Sequence, residues 1–247
     1  SVESGAYINI ACRMDMPQSG NLDLILAMKN LMDRQRLVKG VYKGQASLGN
    51  DQPIGPSYFD HSPDIPQRML DPDKAKFHFE KSGVGNTTVP ITAAEVAPGA
   101  IDQCLFLQRE AQKIGMNIDV KKVTTDGYYG AVWLKDPFCT VAWNMRPTAN
   151  IMMTLAFKSD ANWNETFHKD PDFDKFVTTF SNSPCWPNYC LRKCYPEVYP
   201  FENNPKTGAF KTSLPRKCDG FFGGETTLYQ LEKGFKSNGN GIVLRFY

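Results

Sequence analysis

Three short clusters combine aromatic rings with polar groups that can fix a ligand. They are Asp126-Gly127-Tyr128-Tyr129, Trp143-Asn144-Met145-Arg146-Pro147 and Trp163-Asn164-Glu165-Thr166-Phe167. Trp and Tyr offer rigid apolar walls, and Asn and Arg fix orientation, which is the make-up of a small-molecule pocket. The first two clusters each follow a stretch that reads as a strand, and strand ends are where open α/β sheets hold ligands. Trp143, Asn144 and Arg146 are therefore the first candidate ligand contacts. Tyr128 and Trp163, on neighbouring loops, are the second. The competing reading makes Trp143 a core side chain and Arg146 half of a surface ion pair, because aromatic rings bury themselves whether or not a ligand exists.

Residues that could support other chemistry are scarce. His61, His78 and His168 lie far apart, none at metal-ligand spacing from another. His78 falls mid-helix and reads as a solvated or locally bonded imidazole. Cys12, Cys104 and Cys139 sit in apolar surroundings and read as small buried hydrophobes. Cys185, Cys190 and Cys194, with distant Cys218, are open to three readings: a zinc site, two disulfides, or thiols of an unpaired tail. The chain has neither a G-x-S-x-G nucleophile elbow nor H-E-x-x-H, and Gly83-Val84-Gly85 lacks the third glycine of a dinucleotide loop. A Cys-His or Ser-His-Asp set that meets only in the fold stays open. No catalytic residue, metal ligand or cofactor is nominated, and the expectation is a protein that is not an enzyme.

The elements that must position these clusters follow from periodicity. Tyr7–Cys12, Thr87–Thr92, Asn117–Val123 and Phe138–Trp143 read as strands, the last buried on both faces. Leu22 to Val38 carries apolar residues at helical spacing, with Gly40 or Gly44 to stop it. Asp71 caps and Pro72 opens a helix that Gly83 ends. Pro98-Gly99 introduces another, running through Ile114 and closed by Gly115. Residues 45–72, rich in Pro and Gly, are a long loop of the kind that is functional or wraps a partner. Strand, long helix, strand in this order argues a crossover unit and an α/β domain. Gly241 to Tyr247 suggests a terminal strand.

Composition limits the rest. The chain has 247 residues, 41% hydrophobic and 22% charged, an ordinary globular balance. A net charge of +2 gives no electrostatic case for nucleic acid. No run of about 18 apolar residues marks a membrane span, and Ser1-Val2-Glu3-Ser4-Gly5 lacks the basic start and apolar stretch of a signal peptide. The last 67 residues hold nine Lys and Arg against five Asp and Glu, and four of the seven Cys; the first 180 are net −2. This shift divides the chain into a domain over 1–180 and a Cys- and Pro-rich tail over 181–247.

Five segments, in order, resemble one family. Leu31-Met32-Asp33-Arg34-Gln35 through Val38 and Gly44, then Pro53-Ile54-Gly55-Pro56, then Asp71 to Lys76 closed by Lys81-Ser82-Gly83, are the first three. Ala100 to Gly115 followed by Asn117 to Val120, and Asn164 with Asp170-Pro171-Asp172-Phe173-Asp174, complete the set. Residues 6 to about 180 are thus similar to the second lobe of the family 5 extracytoplasmic solute-binding proteins of ABC importers, the oligopeptide and dipeptide-binding group. The resemblance implies a single α/β lobe of a periplasmic-binding-protein-like (type II) two-lobe fold, followed by an irregular C-terminal tail. It implies non-covalent capture of a peptide-like or anionic solute by hinge closure, docking on an ABC permease at the membrane surface, a monomer, and a periplasmic or extracytoplasmic location. Nickel-chelate binders look similar at this level. Peptide-binding members carry an Asp shortly after the Trp-containing strand to hold the peptide's amino group. Here that place is Arg146, and a guanidinium prefers carboxylate or phosphate. The alternative from another class is an interaction or structural protein that uses the lobe surface and the Cys-rich tail.

Overall fold

A computed structural model describes residues 5–58, 61, 65–182 and 244–246. In chain order the elements are β1 (Tyr7–Cys12), α1 (Leu22–Leu31), α2 (Arg34–Gly40), α3 (Pro72–Ser82), β2 (Val89–Ala93), α4 (Ala100–Gln112), β3 (Ile118–Lys122), α5 (Tyr128–Ala131), β4 (Phe138–Trp143), α6 (Ala149–Ala156), α7 (Pro171–Asn182) and β5 (Leu244–Phe246). The strands make one mixed sheet in the order β3-β2-β4-β1-β5. β2 runs parallel to β3 and β4, and β1 runs antiparallel to β4 and β5. Parallel neighbours need a crossover, and α4 supplies it between β2 and β3. The expected terminal strand is realised at Leu244–Phe246, paired to β1 from Ile8↔Phe246 to Ile10↔Leu244.

Strand alternation sends side chains to both faces of the sheet, and each face has its own core. Ile10 and Cys12 of β1 and Phe138 of β4 pack with Leu24, Met28, Phe79 and Leu107 from α1, α3 and α4. Tyr7 and Ala11, with Cys139, Val141 and Trp143, pack on the other face with Met152, Met153, Phe173 and Val177 from α6 and α7. β4 is therefore covered on both sides, as its unbroken apolar run requires.

The helix expected over Leu22 to Val38 is two helices. Met32 and Asp33 take ψ values of 102° and 86°, outside the helical region. The Asp33 side chain accepts the Arg36 amide N–H at 3.0 Å and starts α2 anew. Apolar spacing carries on across this break, so periodicity does not reveal it. By contrast, α3 has the expected ends: Asp71 Oδ1 accepts the Lys74 N–H at 2.9 Å, Pro72 is first, and Gly83 closes with φ +68°. α4 stops at Gln112, and Gly115 turns the chain with φ +80°. α6, begun by Thr148 accepting the Ile151 N–H, has no counterpart in the periodicity reading. α7 continues through Phe180, where the composition shifts.

The 45–72 loop wraps its own lobe. Asp51, with a 4% exposed side chain, is held by Arg34 (2.6 Å), Arg68 (2.7 Å) and Lys29 (3.9 Å). Further along, Ile54 and Tyr58 enter the second core. Burial pushes the Asp51 carboxyl up, but the three cations overcome this and hold it below the usual range. Burial lowers Lys29 to about 8, against the pull of Asp51. His78 Nδ1 lies 2.8 Å from Asp23 Oδ1, the locally bonded arrangement. Cys12, Cys104 and Cys139 are buried thiols outside any disulfide, and burial pushes the Cys104 and Cys139 thiols up, away from a nucleophilic role. The four remaining cysteines lie outside the described residues. No helix among those residues is long and apolar enough to cross a membrane.

Candidate functional site

The carboxyl end of β4 delivers Trp143, and the next residues leave the sheet. Three indoles meet there. Trp143 stands 6.4 Å from Trp133 and 6.0 Å from Trp163 between ring centroids, and Trp133 stands 6.3 Å from Trp163, all tilted or edge-to-face. Tyr129 extends the group, 5.6 Å from Trp133. Trp143 is 5% exposed, whereas Trp163 and Tyr129 are 40% and 47% exposed. The cluster thus runs from the core to an open aromatic rim.

Arg146 crosses this rim. Its guanidinium carbon lies 5.9 Å from the centroids of both Trp143 and Trp163, within cation–π range. Its backbone N–H donates to the Tyr58 hydroxyl at 2.9 Å, so the long loop helps to fix the position. The guanidinium makes no hydrogen bond or ion pair among the described residues, and its buried Nε has no hydrogen-bond partner there. Of the competing reading, the first half is found, since Trp143 belongs to the second core; the second half, an ion pair of Arg146, is not found among the described residues.

Behind the rim sits Glu165, 3% exposed. Oε1 accepts from Asn9 Nδ2 at 2.8 Å and Oε2 accepts from Trp133 Nε1 at 2.9 Å. Trp143 Nε1 lies 3.2 Å from both oxygens. Asn9 comes from the middle of β1 and is fully buried, so the sheet itself anchors the carboxylate. The loops carrying Trp133 and Glu165 are clasped by Arg13, at the end of β1. Arg13 Nη1 donates to the Leu134 carbonyl at 2.8 Å, and the guanidinium lies 3.9 Å from the centroid of the Phe167 ring. Leu134 and Phe167 have φ of +62° and +53°, conformations that cost a non-glycine residue about 1–2 kcal/mol.

The candidate residues separate by position. Trp143, Arg146 and Trp163 are brought together. Asn144 is exposed just past the end of β4. Tyr128 is 2% exposed, with its hydroxyl 2.9 Å from the Thr140 carbonyl and 3.2 Å from that of Thr92, and burial pushes its pKa up. It supports the sheet from within, and its neighbour Tyr129 takes the rim position. Trp133 and Glu165 were not among the candidates. Trp133 lies in none of the three clusters; Glu165 lies in the third, but nothing local distinguishes it there, because its partners are far away in sequence. Among the described residues no group of three or more His, Cys, Asp or Glu could hold a metal ion. The arrangement can bind through stacking and a cation, and it presents no nucleophile–base pair.

Comparison with known proteins agrees with this architecture. The family model of the bacterial extracellular solute-binding proteins, family 5 (middle), matches residues 1–192. No curated protein matches the chain. Among solved structures, the ABC transporter substrate-binding protein CtaP of Listeria monocytogenes is similar at 15% identity and TM-score 0.67, over 74% of this chain and 38% of that one. DppA of Helicobacter pylori, solved with the peptide STSA, is similar at 16% identity and TM-score 0.66, over 74% and 37%. NikZ of Campylobacter jejuni, solved with Ni(L-His), is similar at 19% identity and TM-score 0.64, over 73% and 40%. The shared fold is the type II periplasmic-binding-protein α/β fold. The chain spans about two-fifths of the length of these structures or slightly less.

Proposed function

The chain belongs to the bacterial extracellular solute-binding proteins of family 5, and from that premise we propose that it binds an anionic or carboxylate-bearing solute, peptide-like or small, for an ABC importer. Capture is non-covalent. The aromatic rim forms one wall of the site, and hinge closure against a second lobe encloses the ligand, since burial from both sides supplies most of the affinity. Trp143, Arg146 and Trp163 are the contacts, with Asn144 and Tyr129 at the edge and Tyr128 supporting from the core. The loaded protein, a monomer outside the cytoplasm, then docks on a membrane permease. No cofactor and no reaction is part of this scheme. The domain over 1–180 carries the site.

One observation carries the reading: Arg146, seated between two indoles at the end of β4, has no anion among the described residues. A guanidinium so placed is ready for a carboxylate, which it can bind bidentately. It repels an ammonium group, so a free α-amino group is not what this spot reads. The ligands in the similar structures of DppA and NikZ, a peptide and nickel-bound histidine, both contain carboxyl groups. Calorimetric titration with Met-Leu and with its N-acetyl derivative tests this. The acetylated dipeptide should bind at least as well as the free one. Arg146→Asp should weaken it by about 10- to 100-fold, the worth of a hydrogen-bonded charge. Undiminished binding of N-acetyl-Met-Leu by Arg146→Asp, or binding that requires the free amine, overturns the proposal.

A further inference from the structure

Glu165 contributes almost nothing to the rim surface, being 3% exposed, yet its carboxylate reaches two of the three indoles. Its carboxylate accepts the N–H of Trp133 and of Trp143. Its backbone follows Trp163 by two residues. The geometry points to Glu165 as the positioning residue of the solute site: it fixes the planes of Trp133 and Trp143, and through Trp143 the seat of Arg146. The importance of that seat rests on the function proposed above; the hydrogen bonds do not.

The physical argument has three steps. An indole has a single donor, and hydrogen bonds to an ionised carboxylate are roughly twice as strong as neutral ones. Tying that donor down removes the ring's main reason to turn towards water. A cation is then held over the ring face, whose place depends on the ring plane. Arg146, 5.9 Å from Trp143, therefore inherits its position from the orientation of that indole. Hydrogen bonding to an anion also polarises the indole and strengthens its attraction for a cation.

Asn9 fits the same account. Its Nδ2 serves Glu165 while its buried Oδ1 has no hydrogen-bond partner. Turning the amide would satisfy neither group, because two oxygens would then face each other. With Gln at 165 the turned amide becomes favourable: Asn9 Oδ1 accepts from the new amide, and the Gln oxygen is left for the indoles. Glu165→Gln thus keeps volume and removes charge, whereas Glu165→Leu removes the acceptor altogether.

The test reads the indole N–H signals of the ¹⁵N-labelled protein without ligand, assigned with Trp133→Phe, Trp143→Phe and Trp163→Phe. In the native protein the Trp133 and Trp143 signals should lie downfield of Trp163 and exchange with solvent about tenfold more slowly, the factor for one net hydrogen bond. Glu165→Gln should move both signals upfield and shift the Arg146 Nε–H with them. Glu165→Leu should move them further and speed their exchange by about tenfold. Native Trp133 and Trp143 signals matching Trp163 in shift and exchange would overturn the inference, as would signals unmoved in Glu165→Gln. Should Glu165→Leu not fold, the native protein and Glu165→Gln decide the matter alone. Failure of N-acetyl-Met-Leu to bind, with these signals as expected, would sink the proposed function and leave this inference standing.

Discussion

Asp51 and Glu165 are both buried carboxylates surrounded by N–H donors, and they do opposite things. Asp51 is met by three cations, Lys29, Arg34 and Arg68. Glu165 accepts from an amide and two indoles, which are neutral donors. The cations at Asp51 are committed to one anion, and the result pins the long loop to α1 and α2. Near Glu165 the cation, Arg146, lies against the rings of Trp143 and Trp163, and its guanidinium has no anion among the described residues. A carboxylate that engages its cations directly makes a staple. One that holds the rings beneath a cation leaves that cation available to a ligand.

Breaking the staple should have the largest effect. Asp51→Ala leaves Lys29 and Arg34 buried, and Arg68 half-buried, without their shared anion. Removing one partner of a buried ionic cluster costs about 3–5 kcal/mol. Urea unfolding should show that loss, and a change below about 1 kcal/mol would show that the cluster is solvated and not a staple.

The staple should also respond to pH, with a sign that follows from its shifts. Lys29 falls from 10.5 to about 8 in the folded chain. A lysine with a depressed folded pKa releases its proton earlier in the folded state than in the unfolded one. Between about pH 8 and 10.5 this lysine holds its proton longer in the unfolded chain, so its own contribution to stability rises with pH, by on the order of 3 kcal/mol at most. The buried Cys104 and Cys139 thiols, which ionise first in the unfolded chain, act in the opposite direction above the ordinary thiol range. Asp51 acts at the other end. Its folded pKa lies below the unfolded value, so its contribution is present above the ordinary carboxylate pKa and is lost as pH falls through the folded one. Relative to the native chain, Lys29→Met should lose the Lys29 contribution, so that its Tm falls more steeply between about pH 8 and 10.5, and should keep the acid loss. Equal alkaline slopes of Tm in the two proteins would show that Lys29 carries none of the dependence.

The two regions also differ in how far they could be read from the sequence. β1 and β4 were legible to the residue, because alternation and an unbroken apolar run are local. α3 was legible because its cap, proline and closing glycine all lie within the segment. Trp143, Arg146 and Trp163 were legible as neighbours because each aromatic-polar cluster stands beside a strand or on an adjoining loop. Asp33 was legible as part of a helix and in fact restarts one, since a capping bond competes with the helix without disturbing apolar spacing. Glu165 was not legible: its partners Asn9, Trp133 and Trp143 lie 156, 32 and 22 residues away. Tyr128 and Tyr129 have adjacent positions and nearly equal chemistry, and only the turn of α5 decides which of them is buried.

The contrast sharpens most at the smallest effect. Arg146→Ala removes a charged side chain of similar size to Arg34 or Arg68. Yet Arg146 makes no ion pair among the described residues, so no buried anion there loses its counter-charge. What is lost is the attraction to two ring faces, about 0.5–1 kcal/mol for each at a partly exposed site, offset by release of a long side chain from a fixed rotamer. Stability by urea unfolding should therefore fall by about 1 kcal/mol or less, against several for Asp51→Ala. The same variant should lose binding of N-acetyl-Met-Leu. A residue whose removal scarcely affects folding but abolishes capture of an anion is held for the ligand. If Arg146→Ala instead costs as much stability as Asp51→Ala, then Glu165 and Arg146 act as one ion pair through the indole. The rim would then be a second staple, and the distinction between the two carboxylates would disappear.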